Sequence, residues 1–189
     1  MPVHGVILVG LIGLLAQLTA GSLGMGYGVI TTSALLAVGL GPAVASATVH
    51  FAELGTATAL GAAHWRMRNI DWPLVGRLAG PGALGAFSGA LLLTHLSVRF
   101  AGVIMAVILL CIGSYIMVRF SVRPPRAPVA ARSRLSAQLL APLGLLGGFL
   151  DATGGGGWGP VTTTALLSSG RIEPRLVVGS VDAAKAIVS

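Results

Sequence analysis

The feature that most limits the possible folds is a series of long apolar stretches with almost no charge. Hydrophobic residues make up 54% of the 189 residues and charged residues 9%. A helix needs about 20 mainly apolar residues to cross the hydrocarbon core of a bilayer. Stretches of roughly that size fit at 3–23, 42–63, 73–93, 99–118 and 135–150, and a sixth begins near residue 176. Because unpaired backbone amides are costly in lipid, the sequence predicts an all-α, polytopic transmembrane helical bundle.

An internal repeat relates two parts of the chain. Residues 24–39 align with residues 155–170 at an offset of 131, nine of sixteen positions are identical, and Tyr27 falls on Trp158. Glycine-interrupted apolar segments at matching places in two halves of a membrane protein indicate a transporter's binding site. The sequence therefore predicts two related repeats, each with a Gly-rich broken or re-entrant segment.

The repeat also suggests how the chain is divided. We expect a first transmembrane repeat at 1–120, a cytoplasmic Arg/Pro-rich loop at 121–134 and a second transmembrane repeat at 135–189. The second repeat stops in the middle of the helix that corresponds to the one after Pro42. We therefore expect a second half that is truncated relative to the first.

The basic residues indicate topology rather than nucleic-acid binding. The net charge is +7, but the arginines lie in short connections between apolar stretches. Residues 119–134 contain five arginines and no acid, and residues 64–77 contain three arginines and Asp71. The positive-inside rule places both loops in the cytoplasm and the turn at 94–99 outside. The repeats are inverted if residues 23–40 cross the membrane and parallel if they return to the same side; inversion is favoured because duplicated transporters commonly use it.

The repeated segments carry the pattern expected for an anion site. Broken segments survive in lipid only where they are buried in protein or line a watery cavity. After each break, hydroxyl residues are interpreted as opening a short helix, whose free amides and positive dipole end suit an anion. Close helix packing is the competing interpretation. The predicted substrate-binding residues are Gly24, Gly26, Gly28, Thr31, Thr32, Ser33, Gly155, Gly156, Gly157, Thr162, Thr163 and Thr164.

Ionisable residues inside apolar stretches are rare and tend to mark pathways or pairs. His50 and Glu53 follow the first break with a spacing of three, and Asp182 and Lys185 follow the second with the same spacing. These four residues are candidates for proton coupling, or Asp182 and Lys185 form a local pair that neutralises itself. Asp151, just before the second glycine run, is interpreted as a cap of the break or an interfacial residue.

Other classes of function lack support. The chain contains no nucleophile elbow, no P-loop and no metal-ligand spacing, so the sequence predicts no enzyme, no cofactor and no metal site. The single cysteine, Cys111, allows no intramolecular disulfide. The first twenty residues could be a signal peptide. A signal peptide begins with a positively charged segment, but here the residues before the apolar stretch include no lysine or arginine, which favours a membrane span.

These segments resemble the sulfite exporter TauE/SafE family of bacterial membrane permeases. The resemblance rests on residues 21–28 with the hydroxyl triplet and Pro42, and on residues 154–164 with Pro174 and residues 179–184. It implies an inner-membrane protein of two related halves that moves sulfite, sulfonates or related anions outward. The predicted partners are thus a small sulfur-containing anion and membrane lipid, with no nucleic acid.

A secondary anion transporter is therefore the leading hypothesis. A membrane scaffold or assembly partner without transport is the alternative. The particular anion, the coupling ion and the oligomeric state stay open at this point.

Overall fold

The computed structural model describes residue 7 and residues 10–18, 26–122 and 135–189. Across these residues all regular structure is helical and there is no strand, which confirms the predicted helical bundle. Gly24 and most of the predicted cytoplasmic loop, residues 123–134, lie outside the described residues.

The described helices follow one another along the chain. After the helical residues 10–18 (α1) come α2 (Tyr27–Ala37), α3 (Pro42–Arg66), α4 (Trp72–His95), α5 (Val98–Val122), α6 (Ala137–Gly154), a π-helical turn (Gly159–Thr163), α7 (Thr164–Ser169) and α8 (Pro174–Val188).

Local signals in the sequence account for several of these boundaries. Pro42 and Pro174 are the first residues of α3 and α8, where the fixed φ of proline suits a helix and its missing N–H loses no hydrogen bond. Asp71 caps α4, since its Oδ1 accepts a hydrogen bond from the Leu74 amide at 3.2 Å. The start of α8 at Pro174 lies two residues before the place near residue 176 where the sequence predicts the sixth apolar stretch.

Large apolar side chains cover the outside of the bundle. Phe51, Phe87, Leu110 and Met117 are each more than two-thirds exposed. A soluble monomer rarely leaves so much apolar surface in water. Of the described helices, one has the length and hydropathy of a membrane span when taken by itself, over Val98–Arg119 of α5. The outer surface is thus suited to lipid.

Glycines bring α4 and α6 into backbone contact. A methyl group added at Gly85 would lie 2.0 Å from the Leu145 carbonyl oxygen, and one at Gly148 would lie 2.0 Å from the Gly82 carbonyl oxygen. Both distances are far below any real contact of a Cβ atom. Small residues at helix interfaces allow this approach in membranes, where lipid tails compete with large apolar side chains. The helices α4 and α6 therefore form a tightly packed pair within the bundle.

The largest apolar cluster surrounds Trp158, which lies just after the second glycine run. The indole ring is fully buried, its Nε1 donates to the Val181 carbonyl oxygen at 3.1 Å, and it packs against Gly82 of α4. The ring thus fixes the chain after α6 to both α4 and α8. The buried members of this cluster are Leu74, Val75, Leu78, Ala79, Leu135, Leu140, Trp158, Leu166, Val177, Val181, Ala183, Ala184 and Val188.

Two short helical segments stand where the sequence repeat places its broken elements. The helix α2 has 11 residues, and the π-helical turn and α7 together run from Gly159 to Ser169. At about 1.5 Å per residue, each is at most about 16 Å long. This is roughly half of the hydrocarbon thickness of a bilayer.

The helix starts differ from the prediction at the hydroxyl triplets. The helix α2 begins at Tyr27, so Thr31 lies one turn inside it. In the second copy the helical turn begins at Gly159, before Thr162. The prediction that the triplets open these helices is therefore wrong. The reason is that glycine can also adopt helical backbone angles. Gly28 therefore already belongs to α2, and Gly159 is the first residue of the π-helical turn.

Candidate functional site

The two glycine-rich segments are in direct backbone contact. A methyl group at Gly28 would lie 2.4 Å from Gly156 Cα and 2.6 Å from the Gly155 carbonyl oxygen, and one at Gly156 would lie 2.2 Å from the Val29 nitrogen. In addition, Thr32 Oγ1 donates to the Gly155 carbonyl oxygen at 2.5 Å. The start of α2 therefore lies against the break after α6, and only glycine fits where the two backbones meet.

Asp151 holds the break in place. The helix α6 ends at Gly154, and Gly155 follows with a φ of 70°, in the left-handed region that favours glycine. The Gly155 amide donates to the Asp151 carbonyl oxygen at 2.7 Å. The Trp158 amide donates to Asp151 Oδ1 at 2.9 Å. One residue thus satisfies amides on both sides of the interruption, as a cap does at a helix end.

The same carboxylate binds the only lysine of the chain. Lys185 Nζ donates to Asp151 Oδ1 at 2.9 Å and to Oδ2 at 2.7 Å. It also lies 2.8 Å from Glu53 Oε2. All three side chains are at least nine-tenths buried. A buried charge is tolerated when an opposite charge and hydrogen bonds compensate for its lost hydration.

His50 completes this group, which we call the charged cluster: His50, Glu53, Asp151 and Lys185. His50 Nε2 lies 3.2 Å from Asp151 Oδ2, and Nδ1 lies 2.8 Å from the Ser46 carbonyl oxygen. Both partners accept hydrogen bonds, and a neutral imidazole has only one N–H, so this arrangement favours a doubly protonated ring. With His50 and Lys185 positive and both carboxylates ionised, the cluster has no net charge.

A metal ion is not needed to explain this cluster. The ligand atoms of His50, Glu53 and Asp151 lie within 4.8 Å of one another, which is the spacing of a possible metal site. The ammonium of Lys185, however, contacts both carboxylates of this set. The chain thus supplies its own cation between them.

A cavity of about 230 Å³ opens next to the cluster, between the start of α2, α3, the break and α8. A second contact between ionisable side chains lies at this cavity, with His64 Nε2 of α3 3.5 Å from Asp182 Oδ2 of α8. Two contacts between ionisable residues therefore connect α3 and α8 along it. The described residues that line the cavity are Gln17, Gly26, Tyr27, Gly28, Glu53, Thr56, Ala57, Leu60, His64, Gly156, Trp158, Gly159, Pro160, Val178, Val181, Asp182 and Lys185.

The structure places the predicted binding residues in different surroundings. Gly26, Gly28 and Gly156 line the cavity, Gly155 and Gly157 are buried at the break and Ser33 is exposed. The buried threonines help to hold the fold: besides the Thr32 bond, Thr162 Oγ1 donates to the Trp158 carbonyl oxygen at 2.5 Å. Their role in binding an anion stays a prediction. The other triplet members, Thr31, Thr163 and Thr164, are also buried.

Three of the four predicted coupling residues, His50, Glu53 and Lys185, belong to the charged cluster, and all four have partners on other helices. Lys185 contacts Asp151 and Glu53, and Asp182 contacts His64. Among the described contacts, the local alternative, a pair of Asp182 with Lys185, is not formed. Interhelical pairs form instead, because Asp182 and Lys185 lie one turn apart on α8. Asp182 therefore contacts the end of α3, and Lys185 contacts the middle of α3 and the end of α6.

Sequence reasoning did not predict two of these contributions. Asp151 was expected only as a cap or an interfacial residue, although an acid beside a glycine run at the end of an apolar stretch, in a chain with one lysine, is a usable signal. His64 lies at the end of α3 beside the arginines of a short loop. Nothing in its local sequence distinguishes it from an interfacial residue.

Comparison with known proteins agrees with the membrane character of this fold. The family described as Sulfite exporter TauE/SafE matches the chain over residues 9–189. The chain is also similar to the Probable membrane transporter protein YtnM of Bacillus subtilis (strain 168), with 49% identity over 171 residues. The matched region covers 90% of this chain and 57% of that protein, so the chain spans little more than half the length of this relative. No solved structure matches the chain significantly.

Proposed function

The chain belongs to the sulfite exporter TauE/SafE family, and on this premise we propose that it carries the substrate path of a secondary transporter for sulfite, sulfonates or related sulfur-containing anions. It is an integral membrane protein, and we propose the bacterial inner membrane as its location. The observation that carries the proposal is the cavity at the contact between the two glycine-rich segments, next to the chain's only lysine.

The start of α2 provides the chemistry for binding an anion. The first amides of a helix have no partner within the helix, and the helix dipole adds partial positive charge there. Gly26, Tyr27 and Gly28, which form this start, line the cavity. Lys185 lines the same cavity from α8 and supplies a full positive charge. An anion between these two elements would exchange its hydration for amide and ammonium donors.

The geometry supports two related halves with interrupted elements in the membrane. Both short segments are too short to cross the hydrocarbon core as single helices. Glu53 and Lys185 occupy equivalent positions when the repeat is extended at an offset of 132, and they contact each other at 2.8 Å. A contact between equivalent positions is expected at an axis that relates two halves. We propose that the halves are inverted repeats and that the cavity lies at their common axis.

Reconstitution tests the transport function. The full chain in liposomes is expected to take up radiolabelled sulfite above the level of protein-free liposomes, with flux that saturates as the sulfite concentration rises. Replacing Lys185 with methionine is expected to lower the flux by more than about tenfold, because a hydrogen bond to a charged group contributes about 1.5–3 kcal/mol. Sulfate, taurine and methanesulfonate as competitors define the accepted anions.

The control for this test is Arg175→Met, which removes a basic residue from an exposed ion pair outside the cavity. This variant is expected to transport like the wild type. Flux that never saturates would indicate a channel. Correctly inserted protein that moves no anion in any variant would contradict the transporter and favour the membrane scaffold.

A further inference from the structure

The carboxylate of Glu53 occupies the place where the anion site should be. Its Oε2 lies 2.8 Å from Lys185 Nζ. Its Oε1 faces the first turn of α2, since a methyl group added at Gly28 would lie 3.0 Å from this atom. The carboxylate therefore sits between the ammonium and the helix start, which are the two groups that the proposed function assigns to the substrate.

Glu53 is held much less firmly than Asp151. Asp151 accepts hydrogen bonds from Lys185 and from the Trp158 amide, and it contacts His50. Glu53 has one such contact among the described residues, between its Oε2 and Lys185 Nζ at 2.8 Å. A buried carboxylate with one charged donor is less well compensated than one with several donors. Of the two carboxylates on Lys185, Glu53 is thus the one that can leave at lower cost.

The charge balance points in the same direction. The cluster is neutral when both carboxylates are ionised and both His50 and Lys185 are positive. An added anion would leave this buried group with an uncompensated negative charge, which a low dielectric penalises strongly. The balance is restored if Glu53 takes up one proton, because the substrate's negative charge then replaces the one that Glu53 loses.

We propose that the Glu53 carboxylate occupies the substrate site when no anion is bound. An anion then binds only when Glu53 accepts a proton from water and releases Lys185. In this step the carboxylate becomes a carboxylic acid, its contact with the ammonium breaks, and the anion takes its place on Lys185 and the start of α2. The inference rests on the proposed transport function. It adds a one-to-one coupling of proton and anion.

The described titratable groups around Glu53 come from four helices. Lys185 faces it from α8, Asp151 from α6 and Tyr27 from α2, and His50 lies one turn away on α3. Asp151 contacts His50. Lys185 stays charged because it keeps its hydrogen bonds to the Asp151 carboxylate. Glu53 is therefore the group whose protonation state changes on binding.

The test measures binding of methanesulfonate to the purified full chain in detergent by calorimetry. This probe keeps a single negative charge across the neutral range, unlike sulfite, so its own titration does not interfere. For the wild type we expect the dissociation constant to rise by about tenfold per pH unit once Glu53 is ionised, as linkage to one proton requires. In Glu53→Gln, which imitates the protonated acid, we expect tight binding that does not change with pH.

The matched control is Glu173→Gln, the same change at an exposed ion pair outside the cavity; it should keep the pH dependence of the wild type. A second measurement does not depend on any variant. Calorimetry of the wild type in buffers with different ionisation enthalpies should show about one proton taken up per anion bound above the pH at which Glu53 ionises.

The outcomes separate this inference from the function on which it rests. Anion binding without proton uptake, or binding by Glu53→Gln that is no tighter than that of the wild type at high pH, would overturn the role of Glu53 and leave the transporter intact. If neither protein binds methanesulfonate or sulfite at any pH and liposomes show no flux, the transport function itself fails.

Discussion

At the scale of single residues, Asp151 connects the structure of the break with the chemistry of the cavity. It caps the interrupted backbone through the Trp158 amide and neutralises Lys185 with both oxygens. An uncharged residue at this position would not neutralise the ammonium. The residue therefore fixes the position of the ammonium relative to the glycine-rich backbone.

Removal of this charge should strongly destabilise the protein. In Asp151→Asn the ammonium of Lys185 loses a buried partner, and such a loss typically costs about 3–5 kcal/mol. Denaturant unfolding in detergent should show this as a lower transition midpoint. The double variant with Lys185→Met should recover part of the loss, because it also removes the excess positive charge that Asp151→Asn leaves in the cluster.

Asp182→Asn is the matched control for this change. The Asp182 side chain is one-quarter exposed and its contact with His64 is long, at 3.5 Å, so its loss should cost less than about 1 kcal/mol. Equal midpoints for Asp151→Asn and Asp182→Asn would show that Asp151 does not have the structural role described above.

At the scale of elements, glycines have different roles in one helix. Gly85 of α4 touches the backbone of α6, whereas a methyl group at Gly80 of the same helix would meet nothing within 4 Å. The sequence alone does not distinguish the two positions, because α4 is apolar and glycine-rich on all sides. Only the position of α6 decides which glycine is needed.

This difference gives a matched pair of substitutions. Gly85→Ala should destabilise the protein by about 1–3 kcal/mol, because the new methyl group forces two tightly packed backbones apart. Gly80→Ala should be neutral or slightly stabilising, since alanine is the better helix former by up to about 1 kcal/mol. Unfolding midpoints in the same detergent check both values. A Gly80→Ala variant that is as unstable as Gly85→Ala would contradict the α4–α6 contact.

At the scale of the whole molecule, the charged loops should set the orientation in the membrane. Arg68 and Ser97 are exposed and lie at opposite ends of α4. The positive-inside rule places Arg68 in the cytoplasm and Ser97 outside.

Cysteine labelling tests this orientation, since Cys111 is the only cysteine to remove. In a Cys111→Ser background, we expect a membrane-impermeant maleimide to label Arg68→Cys only in inside-out vesicles and Ser97→Cys only in intact cells. A cysteine at Pro2 that is labelled from outside would favour inverted repeats, and one labelled from inside would favour parallel repeats. If Arg68→Cys and Ser97→Cys are labelled from the same side, the predicted topology is wrong.

The sequence by itself determined the helical class, the positions of most long helices and the segments on which to look for a site. Apolar length and proline position carry this information locally, so α3 begins at Pro42, where the predicted stretch 42–63 begins. The glycine repeat pointed to the two segments whose backbones touch, while their part in binding an anion stays a prediction.

Only the tertiary structure decided which charges pair. Lys185 meets Glu53, 132 positions away, and Asp182 meets His64 instead of its neighbour on α8. In a soluble protein, the polar face of each helix indicates its orientation, but helices that are apolar on nearly every side give little such periodicity. Their rotation and depth are set by close contacts such as those of Gly28 with Gly156 and of Gly85 with Leu145. Those contacts depend on both partners at once, and the pairing of charges follows from them.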